Sequence, residues 1–346
     1  MNNRTGLSPL VRAYRNDVCE TVHCGALAVC DPQGKLLASV GDPDFTCYVR
    51  SSGKPFQALA VLESGAADRF AYSDEEIAIT AASHSGEPEH QELVSGILAR
   101  IGLGPEHLQC GLAWPMYQPR MFEYIKEGRE KSTLCHNCSG KHAGMLAACV
   151  HRGYPIATYR DPAHPHQQHI LRAFAGICDY PVDAVKIGVD GCGVPVHALP
   201  LRNTATGIAR FVLPSGQPPE RAEAALRIAR AMTAHPFLVS GPERTETQIF
   251  PHLHGKAFGK SGAEGYYVMG IHAHATRFGP LGVAVKIGDG NALRCICPVL
   301  IELLAQLGAL SDDELAALRD QHYKPVLNGH GERVGVVRPE FTLEWK

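Results

Sequence analysis

Tyr48-Val49-Arg50-Ser51-Ser52-Gly53-Lys54-Pro55-Phe56 is the stretch from which the rest of the chain can be read. Pro55, followed by Phe56-Gln57-Ala58-Leu59-Ala60-Val61-Leu62, predicts the opening of a buried helix. Ser51 and Lys54 stand three positions apart, a spacing that puts two side chains on one helical face with Cβ atoms roughly 5–6 Å apart. A serine hydroxyl is a weak nucleophile until a base takes its proton. Lysine serves as that base only when neutral, so its pKa must fall from about 10.4 toward about 7–8, through burial or a second cation. The spacing alone is equally compatible with a helix-start serine and a snorkelling lysine.

Two further stretches shift the balance. Ser83-His84-Ser85-Gly86-Glu87 follows the apolar run Ile77–Ala82, and Gly259-Lys260-Ser261-Gly262 precedes the strand-like Tyr266-Tyr267-Val268-Met269-Gly270. An S-x-x-K element, a serine-centred loop and a K-[ST]-G element in this order are similar to the motifs of serine β-lactamases and penicillin-binding proteins. The middle element departs from that pattern, with Ser83-His84-Ser85 where S-D-N would stand.

The 346 residues, 45% hydrophobic and 20% charged, suit a globular protein with a substantial core. A net charge of −2 favours neither nucleic acid nor an anionic membrane as partner. Met1–Leu7 contains no apolar leader segment, and no apolar run reaches about 18 residues. The twelve cysteines are scattered, several in strand-like runs, so buried free thiols and a reducing cytoplasm are the expectation. The eighteen histidines form no zinc-protease pattern.

Along the chain, His23–Cys30 and Leu36–Val40 read as strands about the Asp31-Pro32-Gln33-Gly34 turn. Ser73-Asp74-Glu75-Glu76 is a capping box opening a helix that ends near Ser83. Glu89–Leu98, the run after Cys138 to about His151, Asp161–Cys178, Glu220–Ala234, Pro298–Leu307 and Asp312–Arg319 read as helices, and Leu108–Lys131 as irregular. Val185–Val189, Tyr266–Ile271, Leu281–Ile287 and Val334–Trp345 read as strands. Strands flanking a helical middle predict an α+β (mixed α/β) fold with an antiparallel sheet and a helical block. The expected organisation is one domain over 1–346, its sheet built from both chain ends and its helices from the middle.

Cys135-His136-Asn137-Cys138-Ser139-Gly140-Lys141-His142 holds a C-x-x-C, but no second pair stands at zinc-site spacing. Reduced buried thiols, pocket-lining polar groups and a metal site all remain open on spacing alone.

Taken together, Arg50–Pro55, Ser83–Glu87, Cys138-Ser139-Gly140-Lys141-His142, Val189-Asp190-Gly191-Cys192-Gly193 and Gly259–Gly262 resemble the bacterial L-asparaginase II family, the rhizobial-type or class 3 L-asparaginases. The likeness runs from about Pro9 to Phe341. It implies a fold related to serine β-lactamases, penicillin-binding proteins and serine-dependent glutaminases. It also implies hydrolysis of L-asparagine through two Ser–Lys pairs, Ser51 with Lys54 and Ser83 with Lys260, with Ser51 as nucleophile. A zinc ion falls on Cys138, Lys141 and Cys192. Substrate-binding roles fall on Arg50, Asp190 and His142, and the family is homodimeric. Cys135 is not among the implied ligands. Glutamine as main substrate, a penicillin-recognising hydrolase of the same fold, and a non-enzymatic zinc or amino-acid binding protein are the alternatives.

Overall fold

A computed structural model describes residues 6–346. Met1–Thr5, most of the segment read as lacking a leader, lie outside the described residues. The strands in chain order are β1 (Ser8–Arg15), β2 (Val18–Cys30), β3 (Leu36–Val40), β4 (Thr46–Tyr48), β5 (Lys186–Val189), β6 (Pro195–Pro200), β7 (Ala257–Ser261), β8 (Tyr266–Ile271), β9 (Leu281–Ile287), β10 (Lys324–Leu327), β11 (Arg333–Pro339) and β12 (Glu344–Trp345). The chain divides into two compact units, one of residues 1–52, 199–213 and 248–346, the other of residues 53–198 and 214–247.

The first unit carries a nine-stranded sheet in the order β10-β11-β1-β2-β9-β8-β7, with β3 pairing β2 and β12 pairing β3. Its neighbours pair antiparallel, as in β2 with β9 and β8 with β9. Residue size alternates along the central strands. Leu27, Val29, Val283, Val285, Met269 and Ile271 point to one face and join the core built on the helix Ala292–Gln306. Ala26, Ala28, Gly282, Ala284 and Gly270 have the opposite parity, and the helix Leu201–Val212 packs on β2, β8 and β9. Strand alternation thus assigns bulky residues to one layer and small ones to the other. The α+β class with an antiparallel sheet and a helical block is the one expected from the pattern of elements.

In the second unit the helix Lys54–Glu63 is buried from Lys54 through Leu62, so it has no solvent face. Such a helix belongs at the centre of a bundle. The helices Pro165–Ile177, Pro219–Ala234 and Ser139–Arg152 pack around it. Ser73 caps the helix Asp74–Thr80 through the expected capping box, with Glu76 N donating to Ser73 Oγ and Ser73 N to Glu76 Oε2. β5 and β6 form a hairpin beside this bundle.

Several boundaries differ from the sequence reading. The helix read from Pro298 begins at Ala292, because Asn291 caps it by accepting from Arg294 N and Pro298 is carried inside. Lys260, read as standing just before the strand at Tyr266, itself sits within a strand, β7, whose pairing with β8 runs from Ala257 to Ser261. A helix, Gln118–Lys126, interrupts the segment read as irregular. Asp312–Arg319 is a shorter helix, Asp312–Ala317, followed by a separate turn of helix at Arg319–His322. Among the described residues no helix is long and apolar enough to cross a membrane.

Candidate active site

Three lysines are buried: Lys54 and Lys260 at 0% exposure and Lys141 at 2%. Lysine is almost never buried without a partner, so each needs an account.

Lys54 opens the central helix of the second unit. Its Nζ donates to Ala82 O at 2.6 Å, Ser83 Oγ at 2.9 Å and Asn137 O at 3.0 Å. Two of these partners are carbonyls and can only accept. When the amine is neutral, its two hydrogens go to Ala82 and Asn137, and its lone pair faces Ser83, whose hydroxyl then donates. Burial pulls the Lys54 pKa down, and the Lys141 cation adds to this against the opposing charge of Cys138 and Cys192. Spacing assigned Lys54 to Ser51. Its amine meets the Ser83 hydroxyl at 2.9 Å, and the Cys138 side chain also hydrogen-bonds it.

Two glycines bring these groups together. The helix Ser139–Arg152 carries Gly140 and Gly144 one turn apart. A Cβ on Gly140 would lie 2.3 Å from Ile79 O, and one on Gly144 would lie 2.5 Å from Thr80 Cγ2. Only bare glycine lets this helix seat against Asp74–Thr80. The contact sets Asn137, Cys138 and Lys141, at the start of one helix, beside Ala82 and Ser83, just past the end of the other.

Cys138 is the N-cap of Ser139–Arg152. Its thiol is held well below the ordinary range, first by the Cys192 side chain and then by the Lys54 and Lys141 cations, against burial. The helix N-terminus favours the thiolate further. Lys141 Nζ donates to Cys192 Sγ at 2.9 Å. Burial pulls the Lys141 pKa down, but the charges of Cys192 and Cys138 override it and hold the amine charged. Cys192 lies in the turn between β5 and β6, which is closed by Gly193 N donating to Asp190 O and Asp190 N to Val194 O. Asp190, half-buried in the same turn, accepts from Gly191 N.

His142 is fully buried, and burial first of all drives its pKa down to about 4, so it is neutral. Tyr159 Oη accepts from Gln109 N at 2.8 Å and lies 2.6 Å from His142 Nδ1. With its acceptor role filled by Gln109, the tyrosine donates to Nδ1, which leaves the ring proton on Nε2, on the side influenced by Cys192. Tyr159 stands at no diagnostic spacing in the sequence, and Asn137, inside the C-x-x-C, contributes only its backbone carbonyl, which a sequence motif does not specify.

In the first unit the Arg50-Ser51-Ser52 segment is tied to the β7–β8 connection. Ser52 Oγ donates to Lys260 O at 2.8 Å and to Tyr266 O at 3.3 Å. Lys260 Nζ donates to Ser261 O. Arg50 has φ +49°, a left-handed conformation immediately before Ser51, and faces Glu264 at 3.9 Å. Strain of this kind in a non-glycine residue concentrates at functional positions.

The structure therefore gathers Lys54, Ser83, Cys138, Lys141, His142, Asp190 and Cys192 in the second unit and Arg50, Ser51 and Lys260 in the first. Among the described residues no three His, Cys, Asp or Glu side chains are placed to hold a metal ion. A metal here would need the Lys141 amine beside the Cys138 and Cys192 thiolates. Two soft sulfur donors and one nitrogen, all buried, suit zinc with a fourth position open. Its entry would displace a proton from the Lys141 amine.

A family model described as L-asparaginase II matches residues 11–339. The chain belongs to the L-asparaginase II family. No curated protein matches the sequence. Among solved structures, Mglu in its native form is 15% identical over 83% of this chain and 62% of that one, with a TM-score of 0.36. The chain thus spans less than two thirds of that protein's length. A probable glutaminase from Bacillus subtilis, complexed with 6-diazo-5-oxo-L-norleucine, is 14% identical over 82% of this chain and 84% of that one, with a TM-score of 0.38. At these scores the likenesses carry no argument about the site.

Proposed function

We propose that the protein is an L-asparaginase that hydrolyses L-asparagine to L-aspartate and ammonia through a serine acyl-enzyme. Family membership supports the reaction class. The observation that carries the site assignment is the buried Lys54 amine, held by two carbonyls so that its remaining position meets a serine hydroxyl.

In this reading Asp190 pairs with the substrate ammonium, and Arg50 holds the carboxylate or steadies the serine turn. His142, neutral and oriented by Tyr159, lines the substrate side. Ser51 Oγ attacks the amide carbon as neutral Lys54 turns its lone pair from the Ser83 hydroxyl to Ser51 and takes its proton. Backbone N–H groups at the start of the Lys54 helix hold the oxyanion. Lys54 passes the proton through Ser83, assisted by Lys260, to the leaving nitrogen, which departs as ammonia. Water, deprotonated along the same route, then attacks the aspartyl ester and frees Ser51. Cys138, Lys141 and Cys192 would hold a zinc ion, which would supply a fixed positive charge to orient polar groups. Ser51 already supplies the nucleophile. A homodimer and a cytoplasmic location complete the reading. The twelve cysteines, none in a disulfide among the described residues, support a reducing compartment.

The test is ammonia release from asparagine and from glutamine by wild type, Ser51→Ala, Lys54→Met and Ser83→Ala, with zinc content measured for wild type and Cys192→Ala. Expected are preference for asparagine, loss of about 10³-fold or more in kcat for Ser51→Ala, and zinc in wild type alone. Turnover retained by Ser51→Ala removes the nucleophile, and a preference for glutamine replaces the substrate.

A further inference from the structure

The first unit holds a cavity built by one contiguous piece of chain. It has a volume of about 570 Å³ and is lined by side chains between Asp312 and Arg338. That volume falls within the range of small-molecule sites, about 300–1,000 Å³. Its charge is lopsided, because Arg319, Arg333 and Arg338 face a single lining carboxylate, Asp312.

The three arginines are not equivalent. Arg338 is held in place: Glu340 takes its guanidinium at 2.7 Å, and it lies over the Tyr14 ring at 4.4 Å from the centroid. Among the described residues the guanidinium groups of Arg319 and Arg333 have neither an ion pair nor a hydrogen bond. Arg333 reaches the cavity because of a bulge. The pairing of β10 with β11 slips between Val326↔Gly335 and Leu327↔Arg333, so one extra residue is inserted. Bulges re-aim side chains. This one brings Arg333 to the face that carries Val336 and Arg338, which strict alternation would deny it.

The rest of the lining is apolar and aromatic. Leu315 and Val336 line the wall, and Leu315 also packs on the main core. Tyr323 is 40% exposed and rests on the buried His322 ring, with centroids 4.3 Å apart. His322 in turn is pinned by Glu302 at 2.8 Å. The tyrosine ring is thus a braced platform beside two unengaged guanidinium groups.

We propose that this cavity binds an anion, phosphate or carboxylate, carried on a flat ring system of mononucleotide size. The two free guanidinium forks take the anion bidentately. The Tyr323 ring and the Leu315 and Val336 side chains take the ring system. The binding site is separate from the candidate amide-hydrolysing residues and independent of their assignment.

Calorimetric titration of the full-length protein with AMP tests it, with adenosine lacking the anion, inorganic phosphate lacking the ring, and 2-naphthoate supplying a carboxylate instead. Saturable binding of AMP or naphthoate, stronger than that of adenosine and of phosphate, is expected; whichever binds tighter identifies the anion. Arg319→Ala and Arg333→Ala each weaken binding about tenfold, Tyr323→Ala weakens AMP but not phosphate, and ammonia release from asparagine is unchanged in all three. Arg319→Gln and Arg333→Gln replace the alanine variants if those melt early. No saturable binding of either ringed anion, adenosine binding as well as AMP, or arginine variants that bind like wild type would each overturn the proposal.

Discussion

Replacing Gly140 by alanine adds one methyl group at the place where two helices touch. The new Cβ would stand 2.3 Å from Ile79 O, against an ordinary contact that begins near 3.4 Å. The obstacle is backbone, so it cannot rotate away. The helix Ser139–Arg152 must retreat by roughly 1 Å, the difference between those two distances. Asn137 and Cys138 travel with it, and the 3.0 Å bond from Lys54 to Asn137 O stretches past hydrogen-bond range. Overpacking of this kind costs about 1–3 kcal/mol. A misplacement of about 1 Å among catalytic groups costs about 10²-fold in rate. Gly96→Ala is the control. Gly96 lies inside the helix Pro88–Arg100 with nothing within 4 Å of its would-be Cβ, so alanine there stabilises by about 0.5–1 kcal/mol. Denaturant unfolding and ammonia release, measured on both variants, read the two effects separately. If Gly140→Ala unfolds and turns over like wild type, the close helix approach does not set the geometry of the site.

Two further outcomes are expected. Arg50 sits at φ +49°, so Arg50→Gly folds more stably than Arg50→Ala by about 1 kcal/mol, while both raise KM for asparagine if the guanidinium holds the substrate; equal stabilities in denaturant titration would mean the turn is unstrained. His166 and His197 are buried, and burial pulls their pKa values down to about 3 and about 4. The unfolded chain, with histidines near 6.5, therefore takes up these protons first. Stability is full above about pH 6.5 and falls as the pH drops toward about 4, by up to about 1.4 kcal/mol per pH unit for each histidine. Unfolding curves at pH 7, 5.5 and 4.5 check this, and His166→Gln should flatten the slope; stability independent of pH over that range would refute it.

Much of the architecture could be read because local pattern and tertiary role agree. Tyr266–Ile271 is a continuous apolar run and Leu281–Ile287 one broken only by Lys286, and they are β8 and β9 to the residue. The helix Leu201–Val212 has no clear signal in the local pattern, because Thr204, Thr206, Gly207 and Arg210 are buried along with Leu201, Ile208 and Phe211. Its partner surface on the sheet is made of small residues, a complement that no local window contains. Gly259-Lys260-Ser261-Gly262 looks like a turn, and only pairing with β8 makes it strand. At the site, the Ser51-x-x-Lys54 spacing directed attention to Lys54. Its hydrogen bond to Ser83 spans 29 residues and is created by where two helices end, which spacing does not encode.

The order of strands also bears on how the molecule is made. β2 is sandwiched between β1, which precedes it directly, and β9, whose partner residues lie some 260 positions later in the chain, as with Ala26 and Lys286. During synthesis the apolar half of β2, Ala26 to Cys30, has one side without its mate until nearly the entire polypeptide has emerged. Such distant pairings close slowly, and an open strand is where neighbouring chains join. Nascent chains truncated before β9 should therefore be the ones that aggregate or recruit chaperones, and release should coincide with emergence of Leu281–Ile287 from the ribosome.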